Sequence, residues 1–466
     1  MVASSITKGR APDPAEGVTP LVLGNQHFDR LTHYLFRFPA KFHPPVVQAL
    51  LAQHTSPGQH VLDPFCGSGT LLVEAARMER HSIGLDVDPI AVAVAAAKVH
   101  RYPSSELLAS ASVVLKSANA NARSHSDYER LTFEDISESE FDRKARTLAD
   151  FIPAIPNLRH WFRLYVVIDL ANLRRAITTA LIPLDHRNLF MVVFASIIRN
   201  CSNADPVPVS GLEVTAHMKR RDKEGRLINP FFLFSKAMAR TLTAVDQYFH
   251  ATTSSISAQV LIADAVHLEN YNLCSVDAVI TSPPYHGAVD YYRRHQLEMF
   301  WLGLTANQGD RLMLLDKYIG RPSVPQRDPL LKADQLRTKL AIEWDQRIRE
   351  VSPPRANAFR HYMLAMTRVF EGLSFLLRSR SPALFVVGHS CWNSAEIPTT
   401  DLFEELSGES FNLENVFSYP VKNRYMSYSR HNGADIAVEH VLLLRRSTAQ
   451  KPPLIHDFHP PHEILS

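Results

Sequence analysis

His60-Val61-Leu62-Asp63-Pro64-Phe65-Cys66-Gly67-Ser68-Gly69-Thr70-Leu71-Leu72-Val73-Glu74-Ala75-Ala76 is the stretch from which the fold can be read. Its first four residues are a short apolar run ending on an acid, a strand pattern; from about Thr70 to Arg80 the spacing becomes helical. Between them, Gly67 and Gly69 let the backbone turn tightly and pass close to a ligand. The pattern then repeats. Ser82-Ile83-Gly84-Leu85-Asp86 is a second apolar run, and Pro89 to Val99 is an Ala/Val-rich helix opened by proline. Strand, helix, strand, helix in such a short stretch is a βαβ unit, which demands a parallel sheet. Open sheets of this kind bind ligands at the carboxyl ends of their strands, where Gly67, Gly69 and Asp86 fall.

Upstream lies an aromatic-rich segment, His33-Tyr34-Leu35-Phe36-Arg37-Phe38-Pro39-Ala40-Lys41-Phe42-His43-Pro44-Pro45, followed by a helical pattern from Val46 to Ala52. Downstream the alternation stops. Residues 101–257 read mostly as helix, with anchors such as Leu158, Trp161, Phe162, Leu164 and Val167. They also contain a basic run, Lys219-Arg220-Arg221-Asp222-Lys223-Glu224-Gly225-Arg226. Strand patterns return at 260–263, 276–280, 384–387 and 438–444. The expectation is an α/β fold: an open, mostly parallel sheet interrupted by a large helical insertion.

Composition narrows the function classes. The 466 residues hold 50 Lys+Arg and 47 Asp+Glu, so any affinity for a polyanion must come from local patches and not from net charge. No apolar run is long enough to span a membrane, and Met1 to Gly17 has no apolar core of a secretory signal. A cytoplasmic location and no membrane partner are therefore expected. Cys66, Cys201, Cys274 and Cys391 lie far apart without metal-ligand spacing, so neither a disulfide framework nor a metal site is expected.

Two motifs carry chemistry. In Asp63-Pro64-Phe65-Cys66-Gly67-Ser68-Gly69-Thr70 no lysine follows Gly69, which argues against a triphosphate loop, and the spacing differs from GxGxxG. Asp86, ending the next strand, stands where a carboxylate takes ribose hydroxyls. The second motif, Thr281-Ser282-Pro283-Pro284-Tyr285, follows a strand directly. Two prolines cannot continue the ladder, so they hold a rigid corner with a ring beside it.

Together DPFCGSGT and TSPPY resemble the S-adenosylmethionine-dependent amino-methyltransferases of DNA, over about residues 25–100 and 258–445. The resemblance implies a Rossmann-like class I methyltransferase sheet and S-adenosyl-L-methionine as cofactor. It assigns cofactor binding to Phe38, Asp63, Pro64, Phe65, Gly67, Ser68, Gly69, Thr70, Asp86 and Asp264. It assigns catalysis to Ser282, Pro283, Pro284 and Tyr285. The Phe38-Pro39-Ala40-Lys41-Phe42 segment is similar to the stretch these enzymes close over the methionine end, with Lys41 and His43 as contacts to cofactor or phosphate. The implied division is an N-terminal arm (1–24), a catalytic domain (25–100 and 258–447), an insertion serving target recognition (101–257) and a C-terminal tail (448–466).

The SPPY form, with Ser282 first, looks like that of the cytosine-N4 enzymes; adenine-N6 enzymes more commonly show DPPY. Ring-carbon methylation needs a cysteine nucleophile, which its family carries in a Pro-Cys pair, and this sequence has no Pro-Cys dipeptide. Cys66 reads as a buried packing residue and Glu439 as structural. Arg293, Arg294 and the Lys219–Arg226 run are the candidate contacts to duplex phosphates. The expected activity is site-specific methylation of cytosine N4 in DNA, with a companion restriction endonuclease as a partner the family admits. Adenine-N6 methylation, RNA methylation of the guanine-N2 type (RNA as partner), and an inactive nucleic-acid-binding protein of the same fold stand as alternatives.

Overall fold

The computed structural model describes residues 19–21, 29–39, 41–206, 212–287, 291–393, 395–421 and 438–447. Apart from Thr19–Leu21, the expected N-terminal arm lies outside the described residues, as do the expected tail and the segment Lys422-Asn423-Arg424-Tyr425.

The chain opens with β1 (Thr19–Pro20), then α1 (Pro44–His54), started by its two prolines. The βαβ unit follows: β2 (His60–Asp63), α2 (Thr70–Arg77), β3 (His81–Asp86) and α3 (Pro89–Val99). The helical stretch comprises α4 (Ser104–Asn119), α5 (His125–Arg130), α6 (Glu138–Thr147), α7 (Leu158–Trp161), α8 (Leu164–Thr178), α9 (Leu184–Cys201), α10 (Ala216–Lys223) and α11 (Pro230–Ala251). The sheet resumes with β4 (Ala258–Ile262) and β5 (Ala278–Thr281). Five helices come next: α12 (Tyr291–Leu302), α13 (Gln308–Lys317), α14 (Pro329–Ala333), α15 (Lys339–Val351) and α16 (Pro353–Leu376). The chain then forms β6 (Pro382–Val387), a small hairpin of β7 (Ser390–Trp392) and β8 (Ala395–Ile397), α17 (Thr399–Ser407), β9 (Phe411–Pro420) and β10 (Val438–Arg446).

The main sheet runs β1-β9-β10-β6-β5-β2-β3-β4. β4, β3, β2, β5 and β6 are parallel; β10 is antiparallel to both β6 and β9. This is a mixed, Rossmann-like sheet. β2 has β3 on one side and β5 on the other, so the order reverses there and a crevice opens beyond the strand ends. Both motifs emerge at that switch point. β9 lacks a strand-like pattern because Asn412, Glu414, Asn415 and Ser418 interrupt its apolar residues, and the edge beyond it is covered by Thr19–Pro20.

Strand alternation sorts the core. Val61, Ile280, Leu384 and Val441 face α1 and α2, while Leu62, Val279, Phe385 and Leu442 face α16 and α17. A third cluster fills the helical lobe. α3 is buried on two sides: Val92, Ala95 and Val99 join the sheet core, whereas Ile90, Ala93, Val94 and Ala97 join the core of α8, α9, α11 and α12. A helix apolar all round belongs inside a protein, which accounts for its Ala/Val composition.

Candidate active site

The β2–α2 turn is held from three directions. Asp63 accepts from the Phe65 amide (3.1 Å) and from the Thr281 hydroxyl (2.7 Å), so one carboxyl ties the end of β2 to the end of β5. Asp86 accepts the Gly67 amide on Oδ2 and the Asp88 amide on Oδ1, both at 2.9 Å. Each oxygen keeps a further lone pair for a ligand. From beneath, the fully buried Lys98 donates to the Ser68 carbonyl at 2.7 Å, and burial drives its ammonium well below the usual lysine range. Gly69 takes a left-handed conformation (φ +76°) as the N-cap of α2; a Cβ there would stand 2.9 Å from the Ala95 methyl of α3.

The aromatic segment folds over this turn because its base is bound to α2. His33 Nε2 meets the buried carboxyl of Glu74 at 2.7 Å, and Gln48 and Arg77 donate to the other Glu74 oxygen. Lys41 donates to the His33 and Phe36 carbonyls, and burial lowers its pKa to about 8. Phe38 stacks on the buried His295 of α12 with centroids 5.1 Å apart.

These elements line a cleft of about 90 Å³ that is partly open to solvent. Of the residues expected from the sequence, Phe38, Asp63, Pro64, Phe65, Gly67, Ser68, Thr70, Asp86, Asp264, Ser282 and Pro284 line it. Pro283, Tyr285 and Gly69 do not: Pro283 is buried, Tyr285 turns toward β10, and Gly69 packs on α3. Lys41 lines the cleft; His43 lies outside it. Asp264 does two things, lining the cleft and capping the turn at Val266 with a 2.9 Å hydrogen bond. Cys66 is buried and its thiol is pushed well up by that burial.

Phe42, from the segment expected to close over the cofactor, also lines the cleft, whereas sequence reasoning missed Val87, Asp88 and the Lys317-Tyr318-Ile319 wall. Asp88 carries a readable signal, an Asp-Pro helix start, and it caps α3 through Ile90. The wall at 317–319 carries none; the chain returns to the cleft after α13, and Tyr318 sits beside Asp88. Gly320 then runs against the Ser282–Tyr285 corner. Its carbonyl accepts the Gly287 amide (3.1 Å), and a Cβ on it would meet the Tyr285 carbonyl at 2.9 Å.

Glu439 of β10, expected to be structural, reaches the Ser282–Tyr285 corner. Tyr285 donates its hydroxyl to one Glu439 oxygen at 2.8 Å, and Tyr419, its cross-strand neighbour, donates to the other. Withdrawal from water raises the Asp63 and Asp88 carboxyls to about 7 and that of Asp86 to about 6. The cleft therefore offers three acids that titrate near neutrality beside an aromatic wall. Among the described residues, no group of three or more His, Cys, Asp or Glu is arranged to hold a metal ion, and no helix is long and apolar enough to cross a membrane.

Residues 15–97 match the model of the N6/N4 DNA methylase family. The chain is 22% identical over 453 residues to the type II methyltransferase M.MvaI of Kocuria varians, covering 90% of this chain and 92% of that one. It is 33% identical over 86 residues to the type II methyltransferase M.MjaII of Methanocaldococcus jannaschii, covering 18% of this chain and 16% of the relative. Among solved structures, TrmN from Thermus thermophilus aligns with a TM-score of 0.29 and 10% identity, over 88% of this chain and 50% of that one, too low a likeness to carry an argument.

Proposed function

We propose that this chain, a member of the DNA amino-methyltransferase family, transfers a methyl group from S-adenosyl-L-methionine to the N4 amine of cytosine at specific sites in DNA. The observation that carries the reading is the shared cleft: the Asp63–Thr281 bond joins the cofactor-type turn to the strand end that carries the Ser-Pro-Pro-Tyr corner, and Ser282 and Pro284 line the same space as that turn.

The cleft fits the cofactor on its own chemistry. Asp86 offers its oxygens to the ribose hydroxyls, and Asp264, also in the lining, accepts from the adenine amine. Gly67, whose added Cβ would lie 3.5 Å from the Phe38 ring, keeps the floor open beneath that ring. The enclosed carboxyls favour a ligand that carries positive charge. When bound, the sulfonium supplies an electrophilic methyl group.

The residues of this chain do the positioning. An exocyclic amine is a poor nucleophile because its lone pair is delocalised into the ring, so alignment of that lone pair is the main task. Ser282 Oγ and the Pro283 carbonyl accept the two amine hydrogens and turn the lone pair toward the methyl group. Pro283 and Pro284 keep that carbonyl fixed. Tyr285 stacks on the base once it has left the duplex. A hydroxyl is a weaker acceptor than a carboxylate, so positioning and not proton abstraction supplies the acceleration, and Ser282 in place of Asp favours cytosine over adenine.

The test is transfer from labelled S-adenosylmethionine to DNA, with RNA in parallel, followed by digestion and mass spectrometry of nucleosides. N4-methylcytosine is the expected product. N6-methyladenine would overturn the base assignment, and label confined to RNA would overturn the substrate.

A further inference from the structure

The basic run singled out in the sequence forms α10, and its place in the fold is set by a relay of hydrogen bonds from the catalytic side. His295 packs against Phe38 of the cleft. One residue earlier, the Arg294 carbonyl accepts Arg199 Nη1 at 2.6 Å, and Arg199 Nε donates to the Asp205 carbonyl at 3.0 Å. The Asp205 amide donates to the Glu213 carbonyl (2.7 Å), and its carboxylate accepts the Thr215 hydroxyl (2.8 Å). Thr215 is the N-cap of α10. The N-terminus of α10 is thus tied through Asp205 and Arg199 to the start of α12, the helix that follows the Ser282–Tyr285 corner in the chain.

Its two sides differ. Met218 is buried, and Asp222, one turn on, is engaged from behind by Arg226 (2.7 Å) and Arg163 (3.3 Å). Lys219, Arg220, Arg221 and Lys223 are exposed. At 100° per residue Arg220 and Lys223 lie opposite Met218, Lys219 on one flank and Arg221 on the other, 60° from Met218. Arg220 has Glu224 at 3.7 Å, while no ion pair among the described residues involves Lys219, Arg221 or Lys223. A cationic helix face whose own acid is neutralised from within is complementary to a polyanion.

We propose that the outer face of α10 is a phosphate-contacting surface that seats the DNA duplex beside the catalytic corner. This rests on the reading of DNA as substrate. The face positions the backbone; Ser282 and Tyr285 handle the extruded base.

The experiment uses the full chain and two triple variants. One is Lys219→Gln/Arg221→Gln/Lys223→Gln; the other, Lys219→Arg/Arg221→Lys/Lys223→Arg, keeps the charge. Duplex affinity is measured by fluorescence anisotropy across a salt series, with cofactor affinity by calorimetry as a folding control. The neutral variant is expected to bind DNA at least roughly tenfold more weakly and to lose up to about three units from the slope of log affinity against log salt. The charge-preserving variant should behave as the parent, and cofactor affinity should not move in either. An unchanged affinity and slope in the neutral variant would overturn the proposal, as would a loss seen with duplex RNA and not with DNA. Failure of the parent protein to bind or methylate DNA at all would instead overturn the functional reading itself.

Discussion

Tyr285 is held by a carboxylate it was not expected to meet. The bond to Glu439 fixes the ring plane from its far end, and Tyr419 fixes Glu439 in turn. In the proposed role, a ring that stacks on a flipped base gains from being immobilised beforehand. Glu439→Ala is therefore expected to lower kcat by roughly tenfold or more while leaving cofactor affinity intact, since a hydrogen bond to a charged group is worth about 1.5–3 kcal/mol. Tyr285→Phe should reproduce that loss, and the double variant should add little to either single one; additive losses would show that the pair does not act as a unit. The three cleft carboxyls yield a second prediction. Their pKa values are raised from an ordinary 3.8 to about 6–7. Protons held only by the folded state stabilise it fully below pH 4, and that contribution disappears as pH rises through 6–7. A cationic ligand prefers the ionised forms, so its binding should release protons and tighten between pH 6 and 7. Calorimetry near pH 6.5 in buffers of different ionisation heat would detect the release; an enthalpy independent of buffer would refute it.

At the scale of elements, α2 and α3 approach each other through Gly69, which leaves no room for a methyl group against Ala95. Gly69→Ala combines that overlap with a left-handed backbone and should cost about 1–3 kcal/mol of stability. Chemical denaturation would show it, accompanied by weaker cofactor binding because the turn moves with the helix. The local elements of this region were legible: β2 and α3 span the residues expected, and α2 stops at Arg77 where the helix was expected to run to Arg80. Expected strands at 260–263 and 276–280 lie at 258–262 and 278–281, because pairing with β3 and with β2 and β6, and not apolar content alone, sets their limits. β9 and the β7–β8 hairpin were not legible, being half-exposed edge elements whose residues lack the alternation that burial on one face imposes.

At the scale of the molecule, the helical stretch 101–257 shares one core with the rest of the chain. Trp301 of α12 packs edge-on against both Phe162 and Phe194, and this cluster runs without a break into α3. Trp301→Ala should cost about 3–5 kcal/mol, with loss of helical lobe and sheet in one cooperative transition. Removal of residues 101–251 would bare Ile90, Ala93, Val94 and Ala97. The shortened chain is expected to aggregate and to bind no cofactor; a monomeric, cofactor-binding product on size-exclusion chromatography would contradict this.

The βαβ unit, the turn at Gly67 and Gly69, the acid at Asp86 and the Ser-Pro-Pro-Tyr corner were determined by the sequence itself. Each depends on neighbours within a few residues, where backbone sterics and hydrophobic period act directly. Only the tertiary structure decided that Thr281 bonds Asp63 across 218 residues, that Lys317-Tyr318-Ile319 lines the cleft, that Glu439 holds Tyr285, and that Thr215 at the start of α10 bonds Asp205. Those relations come from the strand order and from packing between distant segments. Contacts between residues far apart in the chain leave no periodic trace in the sequence around either partner.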